Sequence, residues 1–218
     1  MSRLASLLIL LTGSVLAAEP GADLAGYIRQ SAGLDAGMAL VVDDDGRLTA
    51  ALVKGNRLTV QGCSWDDKSI QPGRAVLLAA GVADRASLVG IETNALPYVD
   101  SLVNLLVVAS WGNRPVDVAE LLRVLAPEGI ACIGNDANPS ATAGLEAKLK
   151  QAGAKDIKAL SRKGWIQFSK PVNPDFDVWA HNLGSPDLSS VNNDKVADVV
   201  PVRQVPSLGP VREFYIFV

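Results

Sequence analysis

The stretch from Met38 to Gly62, MALVVDDDGRLTAALVKGNRLTVQG, constrains this chain more than any other. It opens on an apolar run, Met38 to Val42, and turns on Asp43, Asp44, Asp45 and Gly46. A short helical segment, Leu48 to Lys54, then leads to a second β-rich run, Leu58 to Gln61. Parallel strands cannot be joined by a tight hairpin, so two short runs linked by a helical crossover predict parallel neighbours in one sheet. Nucleotide cofactors in open α/β sheets sit where such a strand hands over to its helix, which makes this turn the first candidate site.

The same alternation continues downstream. A helix over Asp23 to Ala32 precedes the central stretch. Beyond it the patterns predict a helix over Ser69 to Ala80, with Pro72 and Gly73 suited to its first turn, and a strand over Ser87 to Glu92. Leu102 to Ala109 is nearly all apolar, as in a strand buried on both faces. Val116 to Leu125 reads as a helix entered at Pro115 and ended by Pro127-Glu128-Gly129. A strand over Ile130 to Ile133, a helix over Ala141 to Ala152 and strands over Asp156 to Leu160 and Trp165 to Phe168 complete the pattern. The expected fold is a Rossmann-like, doubly wound α/β sheet covered by helices on both faces.

At 218 residues one sizeable core is expected. A net charge of −3 offers no basic excess to track phosphates, so no nucleic-acid partner is expected. One histidine and two cysteines leave too few soft ligands for a zinc site, and no metal site is expected. Ser64, Ser110 and Ser140 lack the G-x-S-x-G setting of a hydrolase nucleophile.

Residues 1–18 carry Arg3, an apolar segment from Leu4 to Leu16 and small residues before Ala18 and Glu19, the three parts of a secretory signal peptide. The apolar segment is shorter than the roughly 20 residues that span a bilayer. The expected mature chain starts near Ala18 or Glu19, outside the cytoplasm in the periplasm or secreted, with no membrane span after cleavage. A domain over residues 19–170 is then followed, over 171–218, by a proline-rich extended tail that ends in the β-prone Glu213 to Val218, EFYIFV.

The order of these pieces resembles the class I S-adenosylmethionine-dependent methyltransferases. The residues that carry the resemblance are Leu121-Leu122-Arg123-Val124-Leu125-Ala126-Pro127-Glu128-Gly129-Ile130, similar to that family's "RVLKPGG" turn, preceded by Leu96-Pro97-Tyr98 and the strand Val103 to Val108. The resemblance covers about Gly33 to Phe168 and implies a mostly parallel seven-stranded sheet in the order 3-2-1-4-5-7-6. More narrowly, the chain is similar to an exported methyltransferase-like module found ahead of PQQ-like β-propeller repeats. In that module a W-x-H, Asn, Asp pattern follows, matched here by Trp179, His181, Asn192 or Asn193, and Asp194. This resemblance implies a propeller domain or protein as partner and EFYIFV as the start of a propeller strand.

The family's cofactor motif is an acid followed by G-x-G-x-G. Aligned on Gly46, the acid falls on Leu40 and the earlier glycines on Val42 and Asp44. The acid that holds the ribose falls on Ser64, with Asp66 two residues later; a serine hydroxyl lacks the charge-assisted bond a carboxylate makes. Two functions are therefore implied. One is a degenerate, non-catalytic binding or structural module, since a domain exported from the cytoplasm would also meet little methyl donor. The other is a working methyltransferase in which Asp43, Asp45, Gly46, Ser64, Asp66 and Glu92 bind S-adenosylmethionine, with no catalytic base assignable and the acceptor unknown. Beside both stands a structural reading of the three aspartates: carboxylates at a helix start stabilise its dipole by about 0.3–1 kcal/mol each. The family's strand order also implies that Cys63 and Cys132 are too far apart to pair and stay free and buried.

Overall fold

The computed structural model describes residues 21–114 and 116–173. Residues 1–20, with the expected signal peptide, Pro115, and residues 174–218, with Trp179, His181, Asn192, Asn193, Asp194 and EFYIFV, lie outside the described residues.

Seven strands form one sheet: β1 (Ala36–Val42), β2 (Arg57–Ser64), β3 (Ala86–Gly90), β4 (Val103–Val108), β5 (Leu125–Gly134), β6 (Lys155–Ala159) and β7 (Trp165–Ser169). Their order is β3-β2-β1-β4-β5-β7-β6, and only β7 runs antiparallel to its neighbours. The order reverses between β1 and β4, which opens a crevice at the carboxyl ends of those strands. Helices α1 (Ala22–Ala32), α2 (Arg47–Val53) and α3 (Asp67–Ala79) cover one face. Helices α4 (Val118–Val124) and α5 (Leu145–Gln151) cover the other. Side chains alternate along β1 between the two cores, Ala39 and Val41 into the first and Leu40 and Val42 into the second.

The same alternation separates the cysteines. Cys63 packs in the second core and Cys132 in the first, on strands with β1 and β4 between them, and both thiols are free and buried. Burial pushes each up to about 12.

Three local expectations need correction. Helix α3 starts at Asp67 because Asp66 caps it, accepting a hydrogen bond from the Lys68 N–H at 3.1 Å. Pro72 therefore falls in the second turn, where its missing N–H leaves the Lys68 carbonyl without its helical donor. Second, Pro127-Glu128-Gly129 ends no helix: α4 stops at Val124 and β5 begins at Leu125. The turn is absorbed as a bulge, for β4 pairs Val103 with Leu125 and then Leu105 with Ile130, and Glu128 takes φ 61°. Third, the helix expected over Ala141 to Ala152 is broken. A 3-10 turn, Pro139–Thr142, is separated from α5 by Gly144, whose φ of 75° no helix interior accepts.

Candidate functional site

The turn after β1 sits at the crevice mouth, and its four residues point in different directions. Asp43 takes φ 60°, and its Oδ2 accepts a 2.8 Å hydrogen bond from the hydroxyl of Ser110, just past β4. Asp44 turns down into the first core, where it is 8% exposed and its Oδ2 accepts the Thr49 N–H at 3.0 Å. Gly62 makes room for it: a Cβ there would stand 2.6 Å from Thr49 Oγ1 and 3.3 Å from Asp44 Oδ2. Burial raises the Asp44 carboxyl above its ordinary range, against the pull of its hydrogen bond from the Thr49 N–H. Asp45 is exposed, accepts the Arg47 N–H at 3.1 Å and pairs with the Arg47 guanidinium at 3.3 Å.

Gly46 takes φ 91°, and a Cβ on it would meet the Gly73 carbonyl oxygen at 2.7 Å. Gly73 in turn could carry no Cβ without meeting Leu88 Cδ2 at 2.3 Å and the Asp45 carbonyl at 2.6 Å. Gly46 thus lets the start of α2 approach α3 backbone to backbone. Val42, at the first glycine position, is fully buried in the second core beside Cys63, Ile91 and Leu96, and Tyr98 packs on that cluster.

At the end of β2 the hydroxyl of Ser64, 4% exposed, accepts hydrogen bonds from the Asp66 N–H at 3.2 Å and the Ser69 hydroxyl at 3.0 Å. Ser64 and Asp66 together build the cap of α3. Glu92 follows β3, exposed. The structure does bring the six sequence-predicted residues to one rim, the carboxyl ends of β1, β2 and β3. The polar side chains among them are already engaged within the chain, except for Glu92.

Several other residues were not among the expected site residues. Trp65 donates its indole N–H to the Thr93 carbonyl at 2.9 Å, and the Arg114 guanidinium lies 5.5 Å from its ring centre. The hydroxyl of Tyr98 is buried without a hydrogen-bond partner, and burial raises its pKa. Arg123, in the matched "RVL" turn, holds the loop that carries Tyr98. It donates to the carbonyls of Leu96 and Tyr98, at 3.0 and 2.8 Å, and to the carboxylates of Asp100 and Glu120, at 2.6 and 2.7 Å. Glu120 also accepts the Leu96 N–H at 2.6 Å, and the Arg123 bonds hold its carboxyl below the ordinary range. Resemblance flagged Arg123 only as wording; its five-fold donor fork is what fixes the loop.

Two clefts lie away from the turn. One, of about 330 Å3, runs between Trp111, the start of α4 and Lys148 of α5; the other, of about 350 Å3, lies along Glu128, Asp156 and Gln167. Among the described residues, no three His, Cys, Asp or Glu side chains converge on a metal-sized site, and no helix is long and apolar enough to cross a membrane.

This fold recurs in solved structures. A protein of Methanococcus maripaludis named for S-adenosyl-L-methionine-dependent methyl transfer superposes with a TM-score of 0.62 at 20% identity, over 70% of this chain and 86% of its own. The fold is that of a class I methyltransferase-like domain. The [4+2]-cyclase SpnF matches at TM-score 0.59 and 16% identity, over 70% of this chain and 82% of its own. A SAM-dependent methyltransferase from Aquifex aeolicus matches at 0.55 and 16%, over 66% and 87%. No protein-family profile matches the sequence. No curated protein matches it either. The methyltransferase-like assignment therefore rests on backbone topology.

Proposed function

We propose that this methyltransferase-like domain is a degenerate, non-catalytic module that works by binding or as a structural partner. The observation that carries the reading is at the first glycine position. A cofactor's methionine end approaches backbone there, whereas Val42 supplies a buried side chain and the adjoining Asp43 is tied to Ser110 across the switch point. The ribose anchor is likewise replaced by Ser64, whose hydroxyl is held in the α3 cap. These residues do not fit S-adenosylmethionine, and no methyl-transfer step is derived through it. Fold alone does not argue otherwise, since SpnF, of the same architecture, is named a [4+2]-cyclase.

The leader pattern over residues 1–18 supports export to the periplasm or beyond, and the W-x-H pattern at Trp179 and His181 supports a PQQ-like propeller domain or protein as the partner. The second reading, an active methyltransferase, is favoured only by the gathering of Asp43, Asp45, Gly46, Ser64, Asp66 and Glu92 on one rim. Calorimetric titration with S-adenosylhomocysteine separates the two. The scaffold reading expects no saturable heat up to millimolar ligand, and a stoichiometric isotherm would replace it with the enzyme.

A further inference from the structure

The cleft between Trp111, the start of α4 and α5 holds about 330 Å3, and none of the six rim residues lines it. Three of its side chains carry N–H donors that find no acceptor among the described residues. The indole N–H of Trp111 is unbonded, whereas those of Trp65 and Trp165 donate to the Thr93 carbonyl and to Asp136. The Lys148 ammonium has no carboxylate partner, whereas Lys150, two residues on, pairs with Glu146 at 2.6 Å. The Gln151 amide is likewise unbonded. The one acid on the cleft, Asp117, caps α4 by accepting the Ala119 N–H at 3.0 Å.

The apolar wall of the cleft is held in place from behind. The Trp111 N–H donates to the Gly134 carbonyl at 3.1 Å, and its own carbonyl accepts the side-chain amide of Asn135 at 2.9 Å. Asn135 is only 5% exposed and accepts the N–H groups of Ala137 and Asn138, so a buried group fixes this corner. The half-buried Trp111 packs on the second core, and Val116 and Val118, both buried, extend the wall. An indole beside aliphatic side chains takes a flat apolar body, and an ammonium accompanied by neutral donors takes an anion. Small-molecule sites hold roughly 300–1,000 Å3, and a cleft at the low end of that range takes a small ligand.

We propose that this cleft binds a small planar carboxylate, an aromatic or conjugated monocarboxylic acid, with its ring against Trp111, Val116 and Val118 and its carboxylate on Lys148. The cleft is separate from the turn after β1, so the proposal stands or falls independently of whether the rim holds S-adenosylmethionine.

The test is calorimetric titration of the full chain with trans-cinnamate, its neutral amide and acetate. The expected result is saturable, salt-weakened binding of cinnamate, about tenfold tighter than the amide, and no saturation by acetate, which has the charge without the ring. Lys148→Met keeps the aliphatic stem and removes the charge. It should weaken cinnamate about tenfold, with Lys150→Met on the same helix leaving the affinity unchanged. Trp111→Leu should weaken cinnamate and its amide alike, each about tenfold. Thermal melts of each variant report folding, and because Lys148 is exposed its variant decides the question even where Trp111→Leu melts early. Absence of cinnamate binding at millimolar concentration, equal affinity for cinnamate and its amide, unchanged affinity in Lys148→Met, or an equal loss in Lys150→Met would each overturn the proposal.

Discussion

The hydroxyl of Ser110 donates to Asp43 at 2.8 Å, joining the carboxyl ends of β4 and β1 across the point where the strand order reverses. A ligand of this fold class enters there, so the bond occupies the entrance with the chain's own groups. Its loss should matter only modestly to stability. Ser110→Ala should cost about 1 kcal/mol in urea unfolding, the net worth of a partly exposed hydrogen bond to a charged acceptor. A change above about 3 kcal/mol would mean that the bond organises more than the turn.

Gly46 is retained for packing. Gly46→Ala places a Cβ 2.7 Å from the Gly73 carbonyl at a φ of 91°, and should cost on the order of 2–5 kcal/mol in chemical denaturation. Gly144→Ala is the control: φ is 75° but nothing lies within 4 Å of the added carbon, so only the backbone strain of about 1–2 kcal/mol should remain. Equal losses at the two sites would remove the close approach of α2 and α3 from the account.

Asp44 and Glu120 should act on stability with opposite signs. Burial raises Asp44 in the folded state above the ordinary carboxyl value of 3.8, so its contribution is fully present below that pH and is lost as pH rises through the folded value. The Arg123 bonds lower Glu120 below 4.5, so its contribution is present above that pH and is lost as pH falls through the folded value. Unfolding free energies measured from pH 3 to 8 for the wild type, Asp44→Asn and Glu120→Gln check both. The wild type minus Asp44→Asn difference should decline with rising pH, and the wild type minus Glu120→Gln difference should increase.

Arg123→Met should release the loop over Leu96 to Asp100 by removing the donors to its two carbonyls and to Asp100. Amide exchange by mass spectrometry should show faster exchange over that segment, with β1 and β4 unchanged. Unaltered protection at Leu96 and Tyr98 would contradict the clamp.

The two thiols, each pushed up to about 12 by burial, should be inert toward a thiol-reactive disulfide at pH 8 in the native chain and react with a stoichiometry of two after denaturation. A fast native reaction at either cysteine would show that its core is open.

The sheet was legible in the sequence because β1, β4 and the crossover at Leu48 to Lys54 obey simple periodicities, and because the order of pieces matched a family even where glycines had gone. Boundaries failed where one residue overrode a pattern. Asp66 moved the start of α3 by capping it, Gly144 broke α5, and a bulge absorbed Pro127 to Gly129 inside a strand. Of the rim, the positions were readable and the partners were not. Nothing in the spacing of Asp43 and Ser110, 67 residues apart, announces their bond, and the inward turn of Asp44 depends on the space left by Gly62 on another strand. Trp65 and Arg114 carried no motif at all, and only the folded chain brings them together.

The central claim, that the rim from Asp43 to Glu92 does not hold S-adenosylmethionine, is tested most directly by thermal-shift titration of the full chain with that compound. A ligand bound to the native state at 100 times its dissociation constant adds about 2.7 kcal/mol of stability, which a melting curve resolves readily. The account predicts a melting temperature that does not move up to millimolar ligand. A saturable rise would contradict it and return the rim from Asp43 to Glu92 to the cofactor.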